Sequence, residues 1–359
     1  MQPHSGATGV LVVDLDALAR NYGLLRRTVA PAECGAVVKA NAYGLGLAPV
    51  ARRLFAEGCR TFFVATLDEG HELRDVLPRP RIFVLSGAIP GTERALKTAA
   101  LIPVLNSLSQ VRGWASIGGP AALHVDTGMT RLGMTRAEVD ALASDRALLS
   151  ALEIACVLTH LACADEPDHN LNRDQLAAFA SIRARLPEAK TSIGNSAGAF
   201  LSSAHRGDLV RPGIALYGGN PFAARPNPVD AVVSLRAPIL QLRTLDAPAT
   251  IGYGATYAAS PPARIAVVGL GYADGYPRTL GNRGVASING RRVPIVGRVS
   301  MDLLCLDVST LPEQDVTEGM LVDFIGNGIS LDDVATSAGT ISYEILTRLG
   351  GRLRREYRG

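Results

Sequence analysis

The chain has 359 residues, of which 47% are apolar and 19% charged, with a net charge of +3. That length accommodates two or three domains at roughly 150 residues each, and that apolar share excludes wholesale disorder. So even a balance leaves no electrostatic footprint for nucleic acid or an anionic membrane surface, and no apolar run approaches the ~20 residues that cross a bilayer.

The first residues, Met1-Gln2-Pro3-His4-Ser5-Gly6, lack the basic and apolar regions of a secretory signal, so a cytoplasmic protein is expected. A strand-like segment at 10–14 follows, open to assignment to a later domain. From Ala36 to about Tyr217, short apolar runs alternate with amphipathic stretches. The runs are 36–39, 62–65, 82–85, 102–105, 123–126, 155–160, 191–195 and 210–214. Between them, 50–57, 68–76, 136–148 and 172–184 repeat apolar residues at intervals of three and four, the period of a helix with one buried face. Eight strands, each but the last followed by a helix, predict an α/β fold, an N-terminal (β/α)8 TIM barrel. An open doubly wound sheet is the rival. Five runs end in a chemically useful residue: Lys39, Asp126, His160, Asn195 and Arg211. On a barrel such ends converge on the face where active sites form.

After Tyr217 the texture changes. A stretch rich in Gly, Pro and Asn at 218–228 reads as a linker. Strand-like runs follow at 232–240, 264–269, 284–288, 292–296, 303–308 and 321–325, with Asn289-Gly290 as a strong hairpin signal. Helical pattern returns at 331–338 and 342–349, and the arginine-rich end, 348–358, reads as a solvated helix face. The expected division is a barrel domain over 1–225 and a mainly β domain over 226–359. Five scattered cysteines without a C-x-x-C pair predict reduced, mostly buried thiols, neither a disulfide framework nor a metal site. Glycine is abundant at 37 residues, which implies tight turns or places where backbone approaches a ligand.

The chemistry-bearing strings begin with Val37-Val38-Lys39-Ala40-Asn41-Ala42-Tyr43-Gly44. A lysine closing an apolar strand is partly withdrawn from water, which lowers its pKa toward that of an amine able to form a Schiff base or act as a base. Next come Asp126-Thr127-Gly128-Met129 with Arg131-Leu132-Gly133, Thr159-His160-Leu161-Ala162, Asn195-Ser196-Ala197 and Arg211-Pro212-Gly213-Ile214. The second half adds Gly252-Tyr253-Gly254, Gly271-Tyr272-Ala273-Asp274-Gly275, Met301-Asp302 and Ile341-Ser342-Tyr343. In this order, across nearly the whole chain, the set resembles the alanine racemases, enzymes of the fold-type III pyridoxal-phosphate family that join a barrel to a β domain.

The resemblance implies a role for each matching position. Lys39 holds pyridoxal 5'-phosphate and serves as base on one face of the substrate carbon, and Tyr253 matches the base on the other face. Tyrosines ordinarily ionise near ~10, so a tyrosine base needs help, and His160 and Arg211 match the chain implied behind it. Arg211 is also implied to face the pyridine nitrogen. Phosphate binding maps to Ser196, to backbone at Gly213 and Ile214, and to the hydroxyls of Tyr43 and Tyr343. Arg131 and the backbone of Met301 match positions that hold the substrate carboxylate. Tyr272, Arg278, Arg298, Asp165 and Ile341 match the substrate access channel, where the charged ones equally fit a surface ion-pair network. The family implies a homodimer in which the tyrosine base comes from the partner subunit, with alanine as the small-molecule substrate. D-alanine for peptidoglycan is the implied product. A racemase of broader substrate range and a cofactor carrier without turnover are the alternatives, and a decarboxylase on the same fold is more remote.

Two positions depart from the family pattern. Leu45 stands where histidine is usual. His124 stands where a lysine, carbamylated in some members, is common and orients the arginine matching Arg131. Imidazole carries no stable carbamate and is neutral or positive, so Arg131 needs another acceptor or an anion.

Overall fold

The computed structural model describes residues 9–77 and 79–359. The first eight residues, on which the signal expectation rests, lie outside the described set. The chain divides into two compact units. One spans Leu18–Leu216 and Asn220–Val229, and the other comprises the described residues through Ala17, Tyr217–Gly219 and Asp230–Gly359.

The first unit is the barrel. Seven parallel strands run in sequence order: Ala36–Val37, Thr61–Val64, Arg81–Val84, Ile102–Leu105, Pro120–His124, Glu153–Leu158 and Thr191–Ser192. The eighth, Leu209–Val210, pairs in parallel with Glu33–Cys34. Backbone bonds from Gly35 N to Val210 O, Val37 N to Pro212 O and Arg211 N to Gly194 O tie it to both ends of the series. Thr61–Val64 and Ile102–Leu105 are buried along their whole length, as strands covered on both faces must be. All eight expected strands are present, some shorter and others ending earlier in the chain, so the polar residues that end five of the apolar runs fall one to three positions beyond the strand ends. Helices fill the connections, with Leu67–Val76 capped by Thr66 and Leu108–Ala115 capped by Ser107. The expected helix over 136–148 is two, Arg136–Ser144 and Arg146–Ser150, because the Asp145 side chain accepts from Leu148 N and starts a new helix there.

The second unit is mainly β. Its sheet gathers Val233–Leu245, Ala263–Val268, Val285–Ile288, Arg291–Val296, Leu304–Asp307 and Leu321–Ile325. The long strand Val233–Leu245 pairs with Leu321–Ile325 along one part and Ala263–Val268 along another, which closes these six strands into a ring. Val10–Asp14 joins this sheet, antiparallel to Val233–Leu245. Asn289 and Gly290, at φ 49° and 79°, form the hairpin turn between Val285–Ile288 and Arg291–Val296. The helices Leu331–Ala338 and Ser342–Arg348 stand where the pattern placed them. The arginine-rich end does not. Arg354–Arg358 is a strand, parallel to Val10–Asp14, because a sheet edge offers backbone partners and tolerates charged side chains.

Candidate active site

Lys39 lies two residues past Ala36–Val37 and opens the turn Lys39–Tyr43. Ala40, Asn41, Ala42 and Tyr43 all take positive φ, at 52°, 54°, 53° and 55°. A left-handed turn of non-glycine residues costs roughly 1–2 kcal/mol per residue, so the surroundings must hold it. Glu69 does much of this: Oε1 accepts from Ala40 N at 2.7 Å and Oε2 from Ala65 N at 2.6 Å. Asn41 Oδ1 accepts from Leu47 N at 2.7 Å. The half-buried Lys39 amine has its pKa lowered, first by burial and then by Arg131, with Glu69 opposing.

A second cluster lies past the ends of the last two barrel strands. Ser196 Oγ, buried, accepts from Gly213 N at 2.8 Å and Ala215 N at 3.3 Å. A Cβ at Gly213 would collide with the Tyr43 hydroxyl, so only glycine lets backbone and phenol approach so closely. The Ile214 N–H has no acceptor among the described residues. Phenol, serine hydroxyl and unpaired N–H thus gather at one place, an arrangement suited to an anion.

Arg211 is buried, and both of its Nη atoms are engaged. Its Nη1 donates to Ser192 Oγ at 2.6 Å, and its Nη2 to Thr159 O at 2.7 Å and Ile193 O at 3.4 Å. Nη2 also lies 3.3 Å from His160 Nδ1. Burial pushes the Arg211 pKa down to about 10, which leaves it charged at neutral pH. Guanidinium only donates, so His160 Nδ1 accepts and the neutral ring carries its proton on Nε2. Burial, then Arg211, hold the His160 pKa well below the usual range. Gln175 fixes the same loop, donating to His160 O at 2.9 Å and accepting from Ala162 N at 2.8 Å.

Asp126 organises the loop that carries Arg131. Its carboxylate accepts from the backbone of Gly128, Met129 and Thr130 at 3.0–3.1 Å. Burial would raise its pKa, but these three bonds outweigh it and the net direction is down. Arg131 is exposed and has no hydrogen-bond or ion-pair partner among the described residues. His124 has its Nδ1 2.7 Å from Asn106 Oδ1. The Asn106 amide donates to Leu85 O and Val104 O, so its oxygen must accept, and His124 carries its proton on Nδ1. Burial, then Arg211, push the His124 pKa down to about 4, leaving a neutral ring with Nε2 as an acceptor.

The remaining sequence candidates, Asp165 apart, belong to the β unit. Tyr253 is 73% exposed on a turn flanked by Gly252 and Gly254, at φ 71° and 73°. The Arg298 guanidinium packs over Gly254, where a Cβ would stand 3.0 Å from Nη1. Tyr272 N donates to Ser300 O at 3.0 Å, which brings Tyr272 beside the segment carrying Met301. Met301, Ile341, Tyr343, Arg278 and Arg298 are exposed on the same unit, and Asp165 is exposed on the barrel unit. Glu69, Asn106 and Gln175 were not expected. Thr66 and Glu69 have the spacing of a helix-start motif, which conceals that Glu69 braces the lysine turn. Asn106 and Gln175 carry no local signal, because their partners are distant in sequence.

Family models for the alanine racemase N-terminal domain and C-terminal domain match residues 13–221 and 232–357. The chain is 52% identical to a protein named alanine racemase from Rhodospirillum rubrum, over 98% of this chain and 96% of that one. It is 49% identical to a catabolic alanine racemase from Agrobacterium fabrum, over 99% and 94%. A crystal structure of the Bartonella henselae alanine racemase with covalently bound pyridoxal phosphate superposes with a TM-score of 0.94 at 42% identity, covering 98% of this chain and all of that one. With a barrel that gathers a lysine, a buried arginine and an anion cradle, and with both family models matched in order, the chain belongs to the alanine racemase family.

Proposed function

We propose that this protein interconverts L- and D-alanine using pyridoxal 5'-phosphate, with Lys39 and Tyr253 as bases on opposite faces of the substrate carbon. The observation that carries the reading is the half-buried Lys39 with its lowered pKa, in the unit that also holds the Tyr43–Ser196–Gly213 cradle. The residues present fit the cofactor: an amine for its aldehyde, a phenol, a hydroxyl and the free Ile214 N–H for its phosphate, and Arg211 for its ring. When bound, pyridoxal phosphate supplies the electron sink that makes the α-hydrogen acidic. The lowered pKa of Lys39 favours the free amine, the form that takes that hydrogen. Arg211, held by four acceptors, keeps its proton and orients His160 behind the tyrosine base. Arg131 and the Met301 backbone hold the substrate carboxylate. Tyr343 completes the phosphate site, and Tyr272, Arg278, Arg298, Asp165 and Ile341 line the access channel.

Two bases are needed because one base alone returns the hydrogen to the face it left. The exposed Tyr253 supports a homodimer in which Tyr253 of the partner subunit serves each Lys39. The test is proton–deuteron exchange of L-alanine in heavy water, beside an absorbance scan for the lysine-bound cofactor. Inversion with exchange on alanine supports the reading. Exchange over many amino acids would favour a broad racemase, and a cofactor band without exchange would favour a carrier.

Supply of D-alanine for peptidoglycan is the proposed physiological role. A deletion strain that needs added D-alanine supports it, whereas loss of growth on alanine as carbon source would favour the catabolic use named for the Agrobacterium relative.

Because His124 is neutral and hydrogen-bonded to Asn106, it forms no carbamate. Added bicarbonate should therefore leave the rate unchanged, and a clear rise would overturn this placement of His124. The unfolded imidazole takes its proton near 6.5 and the folded one only near about 4, so the unfolded state binds more protons in between. Stability is accordingly lost as pH falls from 6.5 toward 4, and His124→Asn should flatten that part of a denaturation–pH profile.

A further inference from the structure

Arg352, near the end of the chain, bridges two carboxylates. Its Nε lies 3.2 Å from Asp274 Oδ1 and its Nη1 2.6 Å from Asp302 Oδ1. Asp274 is wholly buried, and its other oxygen accepts from Gly271 N at 2.9 Å. Asp302 directly follows Met301, in a segment without helix or strand between Arg291–Val296 and Leu304–Asp307. The Met301 side chain is 53% exposed, so it does not anchor that segment.

The anchors are elsewhere. Met301 O accepts from Ala273 N at 2.9 Å and Ser300 O from Tyr272 N at 3.0 Å. The approach is so close that a Cβ on Gly271 would collide with the Met301 carbonyl. Asp274 closes the same short turn, and Arg352 ties its buried carboxylate to Asp302. Three successive residues are therefore held against one turn, Ser300 and Met301 by their carbonyls and Asp302 by its side chain through Arg352. The Met301 N–H is left without an acceptor among the described residues.

We propose that Arg352 is a positioning residue for the substrate: by clamping Asp302 to the buried Asp274, it sets the orientation in which the Met301 N–H receives the carboxylate of alanine. This rests on the reading above that the Met301 backbone holds that carboxylate. A surface ion pair usually contributes little, but here one partner is buried, so losing the guanidinium takes an opposite charge from a carboxylate shielded from water. Its planar fork reaches two acids at once, which the single ammonium of lysine does less well.

The test compares Arg352→Met, Arg352→Lys and Asp302→Asn with the wild-type holoenzyme, measuring KM and kcat for L-alanine and inhibition by propionate, a carboxylate without the amine. Asp302→Asn leaves the Asp274–Arg352 pair intact, so it reads the clamp even if Arg352→Met folds poorly. In Asp302→Asn and Arg352→Met, KM and the propionate inhibition constant should both rise about tenfold while kcat changes less than about threefold, with Arg352→Lys between them and wild type. Unchanged KM and inhibition in Asp302→Asn would overturn the clamp, as would a fall in kcat alone. Failure of propionate to compete with alanine in the wild type would instead overturn the Met301 carboxylate site on which the clamp rests.

Discussion

Mixing inactive Lys39→Ala protomers with inactive Tyr253→Phe protomers should restore roughly a quarter of the wild-type racemase rate if the proposed homodimer shares its sites, since random pairing would make about half of the dimers mixed and each would have one intact site. The expectation follows from what each residue contributes. On the proposed roles, Lys39→Ala removes both the amine that would hold the cofactor and one base, so activity should fall by at least about 10³-fold and the lysine-bound absorbance should vanish. Tyr253→Phe removes one base only. That variant should keep its absorbance and still exchange the α-hydrogen of one enantiomer with solvent, while inversion falls about 10²–10³-fold. Loss of exchange with both enantiomers would argue against assigning the bases to opposite faces. No recovery on mixing would place both bases within one subunit.

Arg211→Glu should slow racemisation by about 10²-fold or more and raise the proportion of transamination, read as pyruvate formed per inversion. Arg211 keeps its proton even though burial pushes its pKa down to about 10. If Arg211 faces the cofactor ring as proposed, its guanidinium would leave the ring nitrogen unprotonated, the ring would draw in less charge, and the hydrogen would return chiefly to the substrate carbon. A carboxylate there reverses that bias. The substitution also strands Ser192 Oγ and the carbonyls of Thr159 and Ile193, which now receive the guanidinium. Arg211→Gln serves as control, because it loses the same bonds without supplying a carboxylate. An equal transamination share in the Glu and Gln variants would sink the electronic account.

Much of the fold was legible because its signals are local. Eight short apolar runs alternating with helical periods, then hairpin chemistry at Asn289-Gly290, already imply a parallel barrel followed by a β domain. The strand at Val10–Asp14 was legible as a strand, but its place in the β domain only as an option, since its partner Val233–Leu245 lies more than two hundred residues away. The arginine-rich end was misread as a helix face. Charge pattern reports that a surface is solvated, but whether backbone continues a helix or pairs with an edge depends on which edge is near.

The sequence by itself determined the family and the order of the two folds and put forward the chemical groups of the candidate site, because motif spacing and hydrophobic period are properties of a single segment. Tertiary structure alone decided how those groups are held. The left-handed turn after Lys39 exists because Glu69 bonds Ala40 and Ala65. His124 is neutral, with its proton on Nδ1, because Asn106 has spent its amide on Leu85 and Val104. Arg352 meets Asp274 and Asp302 across fifty residues or more. Each of these depends on burial and on a hydrogen-bond partner remote in the chain, and neither is encoded in any one stretch of residues.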